Sequence, residues 1–330
     1  MSIKEIAEAL NLSKATVSWI LSGQGEKKGF SEKTIKRVKD YADSVNYSPN
    51  LIARSLSLGT SNTIGLIIPF IDDTFYAQLT MAIEREAIKN KYMLFVCSSE
   101  GNGEKEFELM KALRSKQVDG LIIAPNNLSR DGIDYLKKES FPFVLVDRYY
   151  PSIPSNYVVV NNKEGCYDLV KRLAVSGAHK IALVTTDVHL YVMKQRIEGY
   201  YQALTDAGCE RLVSLELFID RANYQRDIIE KLDGLFAEVP DVDGFFFATH
   251  YLALEAIRYF IRKKIDFHSR FQMGCFHDTS ALDILAPEMA ISRMPIAEMC
   301  KESVATLLEN IRKGKEFEYV GKVVKNELIV

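Results

Sequence analysis

"SKATVSWILSG" (residues 13–23) has the composition of a short helix with two unlike faces. At about 100° per residue, Val17, Ile20 and Leu21 gather on one side while Ala15, Ser18, Trp19 and Ser22 point away. Ser13 is a good N-cap for it. Ahead of it, Ile3, Ile6, Ala7 and Leu10 recur at i, i+3, i+4 and i+7, making a first helix that "NL" breaks. After it comes "GQGEKKG", a loop rich in glycine and lysine, and then Ser31 caps a third helix with Ile35, Val38, Ala42 and Val45 on one face. Three such stripes bury one another. A helix, a tight turn and a second helix with an uncovered face describe a helix-turn-helix, whose second helix enters the DNA major groove by its N-terminal end. Any small three-helix bundle leaves a face exposed, so the surface chemistry carries the distinction. Lys14 stands beside the helix start, Thr16 and Ser18 are short phosphate or base donors, and Ala15 allows close approach.

The charge distribution agrees with a nucleic-acid partner. Over the whole chain of 330 residues the formal net charge is -2, yet the first 60 residues carry nine Lys and Arg against six Asp and Glu, leaving 33 against 38 beyond. A basic head on an acidic body meets phosphate without the whole molecule adhering to it. The five cysteines, Cys97, Cys166, Cys209, Cys275 and Cys300, are scattered without a CxxC pair, so neither a metal site nor a disulfide framework is expected. "MSIKEIAEAL" lacks the apolar core of a signal peptide, and no apolar run of about 18 residues occurs, so a cytoplasmic protein without a membrane span is expected.

In "YSPNLIARSLSLGTSN" (residues 47–62), Pro49 stops the third helix, and a short helix-compatible stretch runs to Gly59. It is too short to be stable alone. Either it is a plain linker or it orders on DNA, offering Asn50 and Arg54 to phosphate and Leu56 as a minor-groove wedge. From residue 62 the pattern changes. "TIGLIIP", "YMLFVCSS", "VDGLIIAP", "FVLVDR", "KIALVTTD", "VDGFFFATH" and "FQMGCFHD" read as buried strands, and between most of them lie helices over 77–89, 105–115, 163–175, 196–207, 226–236 and 252–263. Buried strands alternating with helices mean parallel sheets with right-handed crossovers, and ligands bind beyond the carboxyl ends of such strands.

"IKEIAEALNLSKATVSWILSG", "SEKTIKRV" and "NYSPNLIARSLSLGTSNTIGLIIP" resemble the head and hinge of the lactose-repressor type (LacI/GalR) of bacterial transcription regulators. "GCYDLVKRLAVSGAHKIALVTTD", "RIEGYYQAL" and "ISRMPIAEM" are similar to that family's effector-binding core. The resemblance implies an α/β protein, with an N-terminal all-α helix-turn-helix head and two Rossmann-like lobes of the periplasmic-binding-protein type. Carried over, the head spans 1–47, the hinge 48–60 and the effector-binding and dimerisation core 61–330. Lobe one is then 61–160 with 291–319, and lobe two 161–290 with 320–330. The implied function is sequence-specific DNA binding and transcription regulation, as a repressor of carbohydrate-related genes controlled by a small effector between the lobes. The implied partners are a palindromic operator and a second copy of the chain; no cofactor or metal is expected.

Candidate DNA-contacting residues are then Lys4, Ser13, Lys14, Ala15, Thr16, Ser18, Trp19 and Ser22 in the head, with Asn50, Ala53, Arg54 and Leu56 in the hinge. The family position matching Trp19 is usually an arginine, which grips guanine for about 1–3 kcal/mol of discrimination. An indole offers one N–H and a flat apolar face, so Trp19 is expected to touch a thymine methyl or a sugar in an altered operator. Candidate effector residues are Asp72, Asp73, Phe75 and Tyr76 in "FIDDTFY", Arg148 in "VDR", Arg196 in "KQRIEGY", His250 in "FFFATHYLAL" and His277 in "CFHD". Phe75 and Tyr76 also suit the core of the next helix, and the arginines also suit salt bridges. Departures from the family pattern concentrate here. His250 and His277 stand where acidic residues are usual, Asn161–Asn162 replaces Asp–Asn, and Met294 replaces a glutamine. Imidazoles donate or become cationic where carboxylates only accept, so an anionic sugar phosphate or sugar acid is expected as effector. The alternatives are a solute-binding receptor-like protein and a regulator answering to a protein partner. An enzyme is not expected, because no GxGxxG follows the first strand and neither a P-loop nor a GxSxG elbow occurs.

Overall fold

Serine caps start the first three helices of the computed structural model, which describes residues 2–47, 59–126, 128, 130–314 and 318–330. Helix α1 (Ile3–Leu10) begins in a capping box, Ser2 Oγ accepting from the Glu5 N–H and Glu5 Oε2 accepting from the Ser2 N–H. Ser13 Oγ accepts from the Thr16 N–H at the start of α2 (Lys14–Leu21), and Ser31 Oγ from the Thr34 N–H at the start of α3 (Glu32–Ser44). Ile6, Leu10, Val17, Ile20, Val38 and Ala42 are buried together between them. Val45 ends α3 as its C-cap and is only half-buried. By its internal contacts the chain divides into residues 1–61 and 62–330.

The second unit holds β1 (Thr63–Ile68), α4 (Thr74–Lys89), β2 (Met93–Ser98), α5 (Gly103–Ser115), β3 (Gly120–Ile123), α6 (Asp131–Lys138), β4 (Phe143–Val146) and β5 (Tyr157–Val160). The chain then runs through α7 (Asn162–Val175), β6 (Ile181–Thr185), α8 (Tyr191–Ala207), β7 (Glu216–Phe218), α9 (Tyr224–Glu238), β8 (Gly244–Phe247), α10 (His250–Lys263), α11 (Phe267–Arg270), β9 (Gln272–Phe276) and α12 (Ser280–Leu285). It closes with β10 (Ala290–Arg293), α13 (Ile296–Lys313), β11 (Gly321–Val324) and β12 (Glu327–Ile329).

Two six-stranded sheets share one plan, β11-β5-β4-β3-β1-β2 and β12-β10-β9-β8-β6-β7. Every pairing is parallel except that of β12 with β10. Burial on both faces explains the unbroken apolar strands. On β8, Phe246 faces one apolar layer while Phe245 and Phe247 face the other, all three fully buried.

The sheets divide the chain differently from the lobe boundaries expected after residues 290 and 319. Strand β10 pairs with β9 in the second sheet, and β11 pairs with β5 in the first, so the later crossings fall at residues 294–295 and 325–326. Pairing across space decides the lobe of a short strand, and chain order does not reveal it. Helix α4 begins three residues ahead of the expected 77, because Asp73 Oδ1 accepts from the Phe75 N–H at 2.9 Å. That cap draws Phe75 and Tyr76 into the first turn.

No helix among the described residues is long and apolar enough to cross a membrane. Helix α8 crosses closely over α7 at Gly199. At Gly199 an added Cβ would lie 2.2 Å from the Lys163 carbonyl oxygen and 3.0 Å from Cys166 Cβ. Gly199→Ala is expected to cost about 1–3 kcal/mol of stability through overpacking, read as a lower denaturant midpoint with an unchanged m-value; an unshifted midpoint would contradict this packing.

Candidate functional site

Strands of both sheets end at one cleft, and the side chains that follow them line it. From the first lobe come Phe70 and Asp73 after β1 and Asp147 and Arg148 after β4, with Phe75 and Tyr76 on α4. From the second come Asp187, Arg196, Arg221, Thr249, His250, Tyr251, Phe276 and His277. The cavity between them is about 60 Å³ in volume.

Three lining residues lie in left-handed backbone, Asp187 (φ 48°) after β6 and two others at matching places. Asp147 (φ 65°) follows β4 and His277 (φ 71°) follows β9, equivalent strands of the two sheets. Such a conformation is uncommon outside glycine and aims each side chain away from the strand's ordinary alternation. Asp147 accepts from the Tyr76 hydroxyl at 2.8 Å, and Arg148 Nε lies 3.6 Å from Asp147 Oδ2. Burial, with Asp147 adding to it, pushes the Tyr76 phenol well up, so it stays a donor.

The second lobe presents neutral rings and a cation. Burial pulls His250 below its ordinary range, against Asp73 whose Oδ1 lies 3.6 Å from Nε2; that same nitrogen is 3.1 Å from Thr74 Oγ1. Burial, reinforced by His250, brings His277 down to about 4, and neither of its ring nitrogens has a hydrogen-bond partner. Of the two forms expected, donor or cation, burial favours the neutral imidazole at both positions. Arg196 is buried; its Nε donates to Asn162 Oδ1 at 2.8 Å and its Nη1 to the Ala248 carbonyl at 2.7 Å, and its guanidinium carbon lies 3.8 Å from the Phe276 ring centroid. Among the described residues no carboxylate forms an ion pair with it or with Arg221, which lies over Phe70 at 4.5 Å and Tyr251 at 4.1 Å.

Of the residues expected from sequence, the cleft brings together Asp73, Phe75, Tyr76, Arg148, Arg196, His250 and His277. Phe75 and Tyr76 serve both alternatives, since they also belong to the buried core. Asp72 is exposed and does not line the cleft, because the cap at Asp73 turns the chain there. Arg221, Phe70 and Tyr251 were missed; Arg221 sits in a short turn after β7 with no local pattern to mark it. Among the described residues no cluster of three His, Cys, Asp or Glu side chains is placed to hold a metal.

In the head, Lys4, Ser13, Lys14, Ala15, Ser18 and Trp19 are exposed, and Thr16 and Ser22 are half-buried. The Ser13 and Thr16 hydroxyls are 2.9 Å apart, and Ser22 Oγ donates to the Trp19 carbonyl. Asn50, Ala53, Arg54 and Leu56, with most of the expected hinge, lie outside the described residues.

Residues 2–50 match the family of bacterial regulatory proteins of the lacI type, and residues 61–254 match the periplasmic binding proteins and sugar binding domain of the LacI family. The HTH-type transcriptional repressor PurR of Aliivibrio salmonicida is 32% identical over 208 residues, which cover 63% of this chain and 62% of that protein, less than two thirds of its length. Catabolite control protein A of Priestia megaterium is 27% identical over 95% of this chain and 93% of its own. The lac repressor dimer bound to operator and the anti-inducer ONPF has the same fold, with a TM-score of 0.86 at 20% identity over 100% of this chain and 98% of that one.

The buried histidine makes a measurable prediction. Because the folded His277 titrates near 4 and an unfolded histidine near 6.5, the unfolded state binds the extra proton between those values. Stability is then lost as pH falls from about 6.5 to about 4. In His277→Gln that part of the pH dependence should flatten relative to the unsubstituted protein, followed by urea unfolding across pH 4–7; parallel curves would contradict it.

Proposed function

Because the chain belongs to the LacI family of bacterial regulatory proteins, we propose that it is a sequence-specific DNA-binding transcription regulator, a repressor of carbohydrate-related genes, governed by a small effector held in its cleft. One observation carries this reading: a three-helix unit whose second helix leaves one face uncovered shares its chain with a cleft holding a buried cation that has no counter-ion among the described residues. It acts by binding rather than by catalysis, in the cytoplasm where its DNA lies. The exposed face of α2 meets base edges, Lys14 and Lys4 meet phosphate, and residues 48–60 form the hinge.

A second copy of the chain completes the molecule. Met93, Phe95 and Val96 on the edge strand β2, with Met81 and Ile88 on α4, leave an apolar patch exposed. A groove lined by Leu254, Ile257, Ile261 and Leu285 leaves another. Patches of this kind on a soluble fold mark interaction surfaces, and a twofold pair of heads calls for a palindromic operator. Selection of genomic fragments by the full-length protein is expected to recover a palindrome; no preference over random duplex would overturn the reading.

The effector is a sugar derivative carrying an acidic group. Asp73 and Asp147 accept hydroxyl protons, and aromatic faces pack on the ring. Arg196 and Arg221 take the acid, the neutral histidines adding single hydrogen bonds. Calorimetry with glucose, gluconate and glucose 6-phosphate should favour an acid probe, and Arg221→Gln should weaken that probe at least tenfold while leaving glucose unchanged. Tightest binding of glucose, or an acid probe indifferent to Arg221→Gln, would overturn it.

A further inference from the structure

The loop after α2 folds back onto the one tryptophan of the chain. The Gln24 N–H donates to the Trp19 carbonyl at 2.8 Å, the Lys28 N–H to the Gln24 carbonyl at 3.1 Å and the Phe30 N–H to the Gly25 carbonyl at 3.1 Å. Gly25 is buried, and a Cβ there would lie 3.0 Å from Ile35 Cγ1 and 3.3 Å from Ile20 Cγ1, so the loop is pinned to the core of the head. Phe30, half-buried against that core, stacks with Trp19 at 6.2 Å between ring centroids and 28° between planes. Lys28 Nζ lies 5.0 Å from the Trp19 ring centroid. No ion pair to a carboxylate holds Lys28 among the described residues, and its side chain is exposed.

This arrangement makes a poor base reader and a good support. An indole has one hydrogen-bond donor and no acceptor, while its π face attracts an ammonium and limits the conformations of a long flexible side chain. Resting on the reading that α2 binds duplex DNA, we propose that Trp19 is a positioning residue: with Phe30 behind it, it holds the Lys28 ammonium beside the recognition helix as a clamp on a backbone phosphodiester of the operator. The head thereby gains a contact that adds affinity without sequence information, and the base carrying the family's usual arginine contact goes unread by this side chain.

The test uses the full-length protein, a palindromic duplex recovered by genomic selection and a scrambled duplex of equal length, with affinities measured from 50 to 200 mM KCl. Each phosphate contact adds about 0.9 to the slope of log K against log salt. Lys28→Gln should lower that slope by about 0.9 per head on both duplexes. Trp19→Ala should do the same, the double substitution should add nothing further, and Trp19→Phe should restore the slope. In the absence of DNA, Lys28→Gln should also shift the emission of the single tryptophan, a readout independent of DNA binding and of any folding defect in Trp19→Ala. An unchanged slope in Lys28→Gln, or a Trp19→Phe protein that relaxes preference at one base pair with its slope intact, would overturn the proposal while leaving DNA regulation standing. Failure of the unsubstituted protein to prefer any duplex would remove both.

Discussion

A buried guanidinium ties together the second lobe at the cleft. Arg196 on α8 reaches Asn162 at the start of α7, the Ala248 carbonyl after β8 and the Phe276 ring at the end of β9. Burial draws its pKa down from the ordinary value, which measures how far this charge is removed from water. Burying a charge is tolerable only where its hydrogen-bonding capacity is largely met. Here neutral oxygens and a π face meet part of it, and the remainder points to the cleft. Asn162 matters for the same reason: a carboxylate at that position would neutralise the arginine from within the fold, whereas an amide orients it and leaves its charge available to a ligand.

The same division runs through the equivalent positions of the two sheets. Asp147 and His277 occupy the same place after the fourth strand of their lobes, both in left-handed backbone. One is a carboxylate held by a tyrosine hydroxyl and faced by Arg148; the other is a neutral ring packed against Phe75 at 5.1 Å and His250 at 5.8 Å. The first wall accepts protons and the second offers uncommitted ring nitrogens, so a ligand spanning the cleft meets different chemistry on each side.

The lobes touch across the cleft through polar pairs, ring contacts and a buried apolar cluster that both share. Thr74 meets His250 at 3.1 Å, His189 Nε2 meets the Asn126 carbonyl at 3.2 Å, and Arg221 lies over Phe70 at 4.5 Å. Three chain crossings, after β5, after β10 and after β11, are the covalent links between the two sheets. A molecule bound in the cleft biases the lobe arrangement by its differential affinity for each state. In the proposed regulator that bias is the signal.

Local pattern alone determined much of this protein. Serine caps and apolar stripes marked the three helices of the head; buried runs alternating with amphipathic helices marked the parallel sheets; and Arg148, Arg196, His250 and His277 were found because they follow strand ends or stand in a recognisable stretch. Those signals are legible because capping and periodicity depend on neighbours in the chain. Tertiary structure alone decided the sheets of β10 and β11, the charge of the buried histidines, the pairing of Arg221 with Phe70 and Tyr251, and the engagement of Trp19 by Lys28 and Phe30. Each depends on groups brought together through space, where desolvation and ring geometry act, and no spacing along the chain encodes those.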